Sequence, residues 1–237
     1  MRYLSLLAAA ALLAAGAFLL PGGDLNAKPT DWLKRLSSND ANEIYATIRE
    51  IERRRDIAGG LPLLETAAKT RYPHLAVACG EALAAMDPAA IEKDLLKDKK
   101  FKKRFKRLMG LKESYQQMNL ARVLGAWGHP FVDDHLAHLA SGRRNPEVQA
   151  EALFMSGALV ATKKEKFRET AEAIGKAFKG RDGAIQAAAC SAAGRRKLTQ
   201  FKDQALSLVK RSRDDYAGLY AVWALKQMGY DGGVGSF

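Results

Sequence analysis

The chain has 237 residues, of which 48% are hydrophobic, and this length and apolar content exclude a disordered tail and allow a continuous core. Alanine, leucine, lysine and arginine dominate, and the valine, isoleucine and threonine runs typical of strands are few, so we predict an all-α fold. The formal net charge is +12, and residues 93–112 alone hold ten lysines and arginines against two aspartates, a net charge of +8.

The N-terminal residues have the pattern of an export signal. Residues 1–3 form a short positive region, residues 4–20 are apolar or small, and Pro-Gly-Gly at 21–23 precedes a small-residue cleavage site. We therefore predict a signal peptide over residues 1–27. The 17 residues of the apolar stretch also reach the lower edge of a membrane span of about 17 to 25 residues, so an uncleaved anchor is the alternative.

Both alternatives export the rest of the chain. The protein is then periplasmic or secreted, or it is tethered to the membrane through residues 4–20 with its folded domain outside. We place a linker at residues 28–37, a repeat domain at residues 38–229 and a flexible tail at residues 230–237.

Short polar residues and prolines mark the predicted helix starts. Asp40 and Glu43 have the spacing of a capping box, and Asp87 and Asn145 each precede a proline as an N-cap should. Five of the seven prolines fall where a helix is expected to begin, a position at which the missing N–H costs nothing: Pro62, Pro73, Pro88, Pro130 and Pro146.

Cys79 and Cys190 are the only cysteines, which excludes a disulfide-rich scaffold. Each lies among small residues, where a buried cysteine behaves as a small hydrophobe. The repeat described below places them three units apart, and a bridge that needs Cα atoms within about 7 Å is then disfavoured.

Residues 97–107, KDKKFKKRFKR, are the most basic segment, with eight basic residues in eleven. Phe101 and Phe105 continue a helical stripe of apolar residues, so we expect them to face the core. The lysines then form either the solvated face of a structural helix or a site for an acidic partner, which would be a phosphate-bearing lipid, an anionic polymer or an acidic protein. Nucleic acid is disfavoured because export removes the usual target. The candidate anionic-partner residues are Lys99, Lys100, Lys103, Arg104, Lys106 and Arg107.

Three of the four histidines cluster in the segment HPFVDDHLAHL at residues 129–139. Asp134, His135 and His138 could share a helix face as metal ligands do, but no HExxH motif, cysteine pair or second carboxylate–histidine group supports such a site. The simpler interpretation is that Asp133 and Asp134 favour the positive end of a helix. We predict no metal and no cofactor. No nucleophile motif or glycine-rich phosphate loop is present either, so we predict that the protein is not an enzyme.

An internal repeat organises the chain. Residues 146–157 align without a gap with residues 183–194, identically at glutamine, two alanines and glycine. Weaker copies of this pattern end near residues 48, 83, 124 and 225. After every copy except the last, a second segment has apolar residues at helical spacing, so each unit is predicted to be a pair of helices. The register marks are Ile48, Leu83, Leu124, Leu153, Cys190 and Leu225, with spacings of 35, 41, 29, 37 and 35. The basic segment lies in the enlarged step of 41.

The pattern D/N-P-x-V-x-x-x-A-L-x-x-x-G, carried best by residues 146–194, resembles that of HEAT repeats, and the resemblance covers about residues 38–229, strongly in two units and loosely in the others. The resemblance implies a right-handed α-solenoid of about six antiparallel helix pairs, preceded by the apolar signal or anchor helix. It also implies a non-catalytic scaffold that binds a protein partner along an elongated surface. The uneven spacing and the lack of an Asp/Arg ladder between units depart from the family pattern.

Four aromatic residues stand at helical spacing on predicted first helices: Trp127, Tyr216, Tyr220 and Trp223. We expect them to pack in the core. Tyr216 and Tyr220 lie near an incomplete last unit, so partial exposure as contact anchors is the alternative.

Overall fold

The structure is a computed structural model, and it describes residues 32–141, 144–159, 167–211 and 215–230. Over these ranges the regular secondary structure is helical and contains no strand, which confirms the predicted all-α class. The α-helices are α1 (Trp32–Arg35), α2 (Ala41–Arg54), α3 (Gly60–Lys69), α4 (Pro73–Ala84), α5 (Pro88–Ala90), α6 (Lys99–Met109), α7 (Ser114–Trp127), α8 (Asp133–Leu139), α9 (Pro146–Ser156), α10 (Arg168–Ala177), α11 (Gly183–Arg195), α12 (Lys202–Arg211) and α13 (Asp215–Gln227).

Side-chain caps and prolines set the helix starts as predicted. Asp87 Oδ1 accepts a hydrogen bond from the Ala89 N–H at 3.1 Å, and Asn145 Oδ1 accepts one from Glu147 N–H at 2.9 Å. The five expected prolines all lie in the first turn of a helix, Pro130 in a short 3₁₀ turn, Pro130–Val132, that leads into α8.

Six helices form a row in chain order. In this row α2 contacts α4, α4 contacts α7, α7 contacts α9, α9 contacts α11, and α11 contacts α13. Each of the six carries one of the register marks, and every mark is fully buried. The remaining longer helices pack against this row and partly against one another, since α3 contacts α6 and α8 contacts α10. The core therefore lies between this row of six helices and the helices that alternate with them along the chain.

Glycine allows the row to pack closely. A Cβ on Gly125 of α7 would lie 2.7 Å from the Met155 Cβ of α9, and one on Gly194 of α11 would lie 2.6 Å from the Trp223 ring of α13. Real Cβ atoms do not approach this closely, so the helix spacing depends on these glycines.

The enlarged step of the repeat contains additional helix. A π-helical turn, Ile91–Leu95, follows α5, and the chain then breaks at Asp98 before α6 begins. A boundary between two helices therefore lies at Asp98, within the basic segment 97–107.

The segment assigned to a linker includes helix α1, and α1 contacts the folded domain. Trp32 is fully buried and its Nε1–H donates a hydrogen bond to Asp56 Oδ2 at 2.7 Å. The Arg35 and Arg54 guanidinium groups each lie 5.4 Å from the centre of the Trp32 ring, and both pair with Glu50. These long-range contacts hold α1 on α2.

The predicted signal or anchor over residues 1–27 and tail residues 231–237 lie outside the described ranges. Among the helices that the structure describes, none has the length and apolar character needed to cross a membrane.

Candidate anionic-partner site on helix α6

Helix α6 begins with a well-formed cap. Asp98 has extended backbone angles of −65° and 124°, and its Oδ1 accepts a hydrogen bond from the Lys100 N–H at 2.8 Å. The negative charge of Asp98 also interacts favourably with the positive N-terminal end of the helix dipole, near which the following side chains are lysines. The helix ends at Met109, before Gly110.

The apolar side of α6 faces the core, as the sequence predicted for its phenylalanines. Phe101, Phe105 and Leu108 are all buried. The rings of Phe101 and Phe105 are stacked with centroids 5.7 Å apart, and Phe131 lies 5.1 Å from Phe105. The ring of His135 in α8 meets the edge of Phe105 at 4.8 Å. This cluster fixes the rotation of α6 about its axis.

The opposite side of α6 is entirely basic. All six candidate anionic-partner residues are exposed on this one helix: Lys99, Lys100, Lys103, Arg104, Lys106 and Arg107. Lys102 is exposed as well and belongs to the same surface, although the sequence reading left it out. We call these seven side chains the basic face.

One member of the basic face is neutralised. Arg104 Nη1 pairs with Glu65 Oε1 of α3 at 2.6 Å, which ties α6 to its neighbour. Among the residues that the structure describes, the other six cations have no ion pair. An exposed ion pair contributes only about 0.2–1 kcal/mol to stability, so leaving these six cations unpaired costs the fold little. Their charges are available to a partner.

Helical geometry places three lysines farthest from the core. At 100° per residue, Lys99, Lys103 and Lys106 project opposite the Phe101–Phe105–Leu108 side. The rise of about 1.5 Å per residue spreads Lys99 and Lys106 over about 10 Å of the helix axis. The outward charge is therefore a short linear array.

The histidines at 135 and 138 contact neighbouring side chains of the protein. His135 packs between Phe105 and Phe131, and the pKa of its imidazole is lowered by burial, although Asp134 opposes this effect. His138 instead contacts Arg144, and burial and that guanidinium lower its pKa as well. Within the described part of the chain, no three His, Cys, Asp or Glu side chains lie close enough to hold a metal ion.

Asp133 has a role that the sequence reading missed. Its carboxylate is buried and accepts hydrogen bonds from the backbone N–H groups of Glu169 and Thr170, at 2.9 and 3.0 Å, and from the Thr170 hydroxyl at 2.7 Å. Arg196 Nη1 in turn donates to Thr170 Oγ1 at 2.8 Å, and its Nη2 donates to the Phe167 carbonyl at 3.0 Å. Asp133 thus caps the start of α10 from a helix more than 30 residues earlier. No local sequence pattern signals such a tertiary cap.

Both cysteines are free and buried, in α4 and α11 respectively. Burial raises the pKa of the Cys190 thiol to about 12 and raises that of Cys79 further. The thiols therefore remain protonated and act as small apolar groups.

Trp127 packs in the core as expected, whereas on the last helix the alternative of partial exposure applies to Tyr216 and Tyr220, and Trp223 is exposed contrary to expectation. Trp127 is buried, but Tyr216 and Trp223 on α13 are 47% and 38% exposed. Leu219, on the same side of α13, is 68% exposed. Nothing within the described residues continues the row beyond α13, so one side of this helix remains an apolar surface.

No protein-family model matches this sequence, and no curated protein matches it.

Proposed function

We propose that the protein is an exported, non-catalytic binding protein whose helix pairs stack as a HEAT-like, right-handed α-solenoid. The row from α2 to α13 supports this proposal, because six helices at a mean sequence spacing close to 35 residues contact one another in order and bury equivalent positions. Such a stack supplies a rigid support on which single helices can present a surface.

The basic face of α6 is the binding surface, and its partner is an anionic component of the cell envelope. One observation carries this proposal: six cations lie exposed and unpaired on one helix whose opposite side is fixed in the core by Phe101 and Phe105. A flexible basic tail would lose entropy on binding, whereas this array is already ordered. A concentrated positive field also accelerates association with anionic partners.

A neutralised variant tests this proposal. Glutamine at the six unpaired members of the basic face, Lys99, Lys100, Lys102, Lys103, Lys106 and Arg107, should abolish retention on both a polyphosphate matrix and anionic vesicles at low salt, with the helical circular dichroism unchanged. The control replaces three exposed cations elsewhere, Lys176, Lys179 and Arg181, with glutamine and should bind as the wild type does, whereas the α6 variant of equal charge, with glutamine at Lys99, Lys103 and Lys106, should bind more weakly. A wild-type protein that binds neither matrix nor vesicles contradicts the proposal.

A second candidate function is that of a protein-interaction scaffold, with α13 as the contact surface. The exposed side chains of Tyr216, Leu219 and Trp223 favour it, because aromatic and leucine side chains grouped on one helix face are common interface anchors. A photo-reactive amino acid at position 219 should then cross-link to one identifiable envelope protein, and the same group at position 176 should not. Equal cross-linking at both positions would count against the scaffold function.

The export on which both functions depend has its own test. Cell fractionation should place the protein in the envelope or the periplasmic or secreted fraction, and a purely cytoplasmic pool would overturn this part of the proposal.

A further inference from the structure

We propose that the anionic partner of α6 is a lipid bilayer surface with anionic headgroups, to which the basic face adsorbs as diffuse charge without inserting any side chain. This inference rests on the proposed function, namely that α6 binds an anionic component. It adds the chemical class of the partner and the mode of binding.

The basic face is convex and its cations diverge. By helical geometry the six unpaired side chains spread over about 160° of the helix circumference, with Lys102 and Lys100 at the two flanks. Recognition of a single phosphate needs donors that converge on one point. Divergent donors suit an extended charged surface.

A concave surface near the start of α6 does not suit an anion either. A groove beside the start of α6 is lined by Lys93 and Lys97 but also by Glu92, whose carboxylate is largely exposed and would repel a phosphate. By contrast, the six unpaired cations of the basic face lie on the surface of α6 itself, outside this groove.

The residue types favour diffuse attraction. Five of the six unpaired cations are lysines, and the only unpaired arginine is Arg107, because Arg104 is held by Glu65. Lysine acts as a compact, strongly hydrated point charge, whereas arginine is the residue suited to bidentate phosphate contacts. A lysine-rich face therefore suits a surface that carries many separate negative charges.

The apolar residues of α6 are unavailable for insertion. An interfacial amphipathic helix sinks its apolar face into the bilayer, but Phe101, Phe105 and Leu108 are buried in the protein. Helix α6 also has no exposed aromatic residue on which the bases of a polyanionic strand could stack. A flat headgroup surface remains the best match.

The experiment measures partition onto vesicles of phosphatidylcholine with 30% phosphatidylglycerol, with pure phosphatidylcholine vesicles and soluble polyphosphate for comparison. The single substitutions Lys99→Gln, Lys103→Gln and Lys106→Gln should each weaken partition about fivefold, corresponding to about 1 kcal/mol per charge near the surface. The triple variant should lose about 100-fold. The glutamine control at Lys176, Lys179 and Arg181 should bind as the wild type does, and thermal melts establish that all variants are folded.

The outcomes separate this inference from the proposed function. If polyphosphate binds and the anionic vesicles do not, the bilayer inference is wrong and the function stands. If neither binds, both fail. If one lysine accounts for nearly all of the loss, the basic face recognises a discrete headgroup and diffuse adsorption is overturned. If the control triple variant weakens binding as much, net charge rather than α6 is responsible and the inference is also overturned.

Discussion

Asp133 Oδ1 accepts hydrogen bonds from both the backbone N–H and the hydroxyl of Thr170, 37 residues farther along the chain. This pair joins the start of α8 to the start of α10. Since α8 also supplies His135, and Phe131 lies just before it, the same helix supports the buried side of α6. The Asp133–Thr170 contact is thus part of the support beneath the basic face.

Asp133→Ala should lower the free energy of unfolding by about 2–3 kcal/mol, because it leaves buried N–H donors and the Thr170 hydroxyl without their acceptor. Chemical denaturation measures the change. The adjacent, exposed Asp134 is the control, and Asp134→Ala should stay within about 0.5 kcal/mol of the wild type. Equal effects at the two positions would show that the buried cap contributes nothing specific.

Gly125→Ala should lower the free energy of unfolding by about 1–3 kcal/mol, although alanine is the better helix former. The added Cβ would lie 2.7 Å from the Met155 Cβ and 2.8 Å from its carbonyl oxygen, so α7 and α9 would have to separate. At Gly110 the nearest atom would be 3.4 Å away, an ordinary contact, and Gly110→Ala should change stability little. A Gly125→Ala variant as stable as the wild type would contradict the close packing of the row.

His135 should make stability depend on pH. Burial lowers its folded pKa below the usual value of about 6.5. As the pH falls below about 6.5, the unfolded chain therefore binds a proton that the folded chain does not, and the free energy of unfolding decreases. His135→Leu should reduce this loss between pH 7.5 and pH 5.5 relative to the wild type. An NMR titration that places the folded pKa of His135 above 6.5 would contradict the prediction.

Both cysteines should be unreactive in the folded protein. The buried thiols of Cys79 and Cys190 have raised pKa values, so the reactive thiolate is scarce and the reagent has no access. Ellman's reagent should detect no thiol within minutes under native conditions and two equivalents in guanidinium chloride. Rapid release of one equivalent from the native protein would show that one of these helices opens readily.

Local sequence signals predicted the helical class, the caps at Asp87 and Asn145 and the inward side of α6. These features depend on residues within one or two turns of one another. Asp133 was read only as a charge at a helix end, because its acceptor role depends on Thr170, which chain topology brings close. Trp32 was likewise assigned to a linker, since nothing near it in the sequence indicates Asp56 as a partner.

The basic face and the last helix show a second limit of prediction from sequence: side-chain pairing and exposure depend on neighbouring helices. The stripe containing Phe101 and Phe105 predicted which residues face outward, but the Arg104–Glu65 pair and the participation of Lys102 depend on the position of α3 and on the full circumference of the helix. At α13, helical spacing is the same whether or not another helix follows. Exposure of Trp223 is therefore a property of the end of the row, which periodicity does not encode, whereas the incomplete last unit indicates exposure of Tyr216 as an alternative.

Lysine footprinting in the presence of anionic vesicles tests the central claim most directly. The protein is briefly acetylated with and without phosphatidylglycerol-containing vesicles, and each lysine is quantified by mass spectrometry. Lys99, Lys103 and Lys106 should become several-fold less reactive on vesicles, whereas Lys176 and Lys179 should be unchanged. Vesicle-bound protein in which the lysines of α6 react as fast as in free solution would contradict the account.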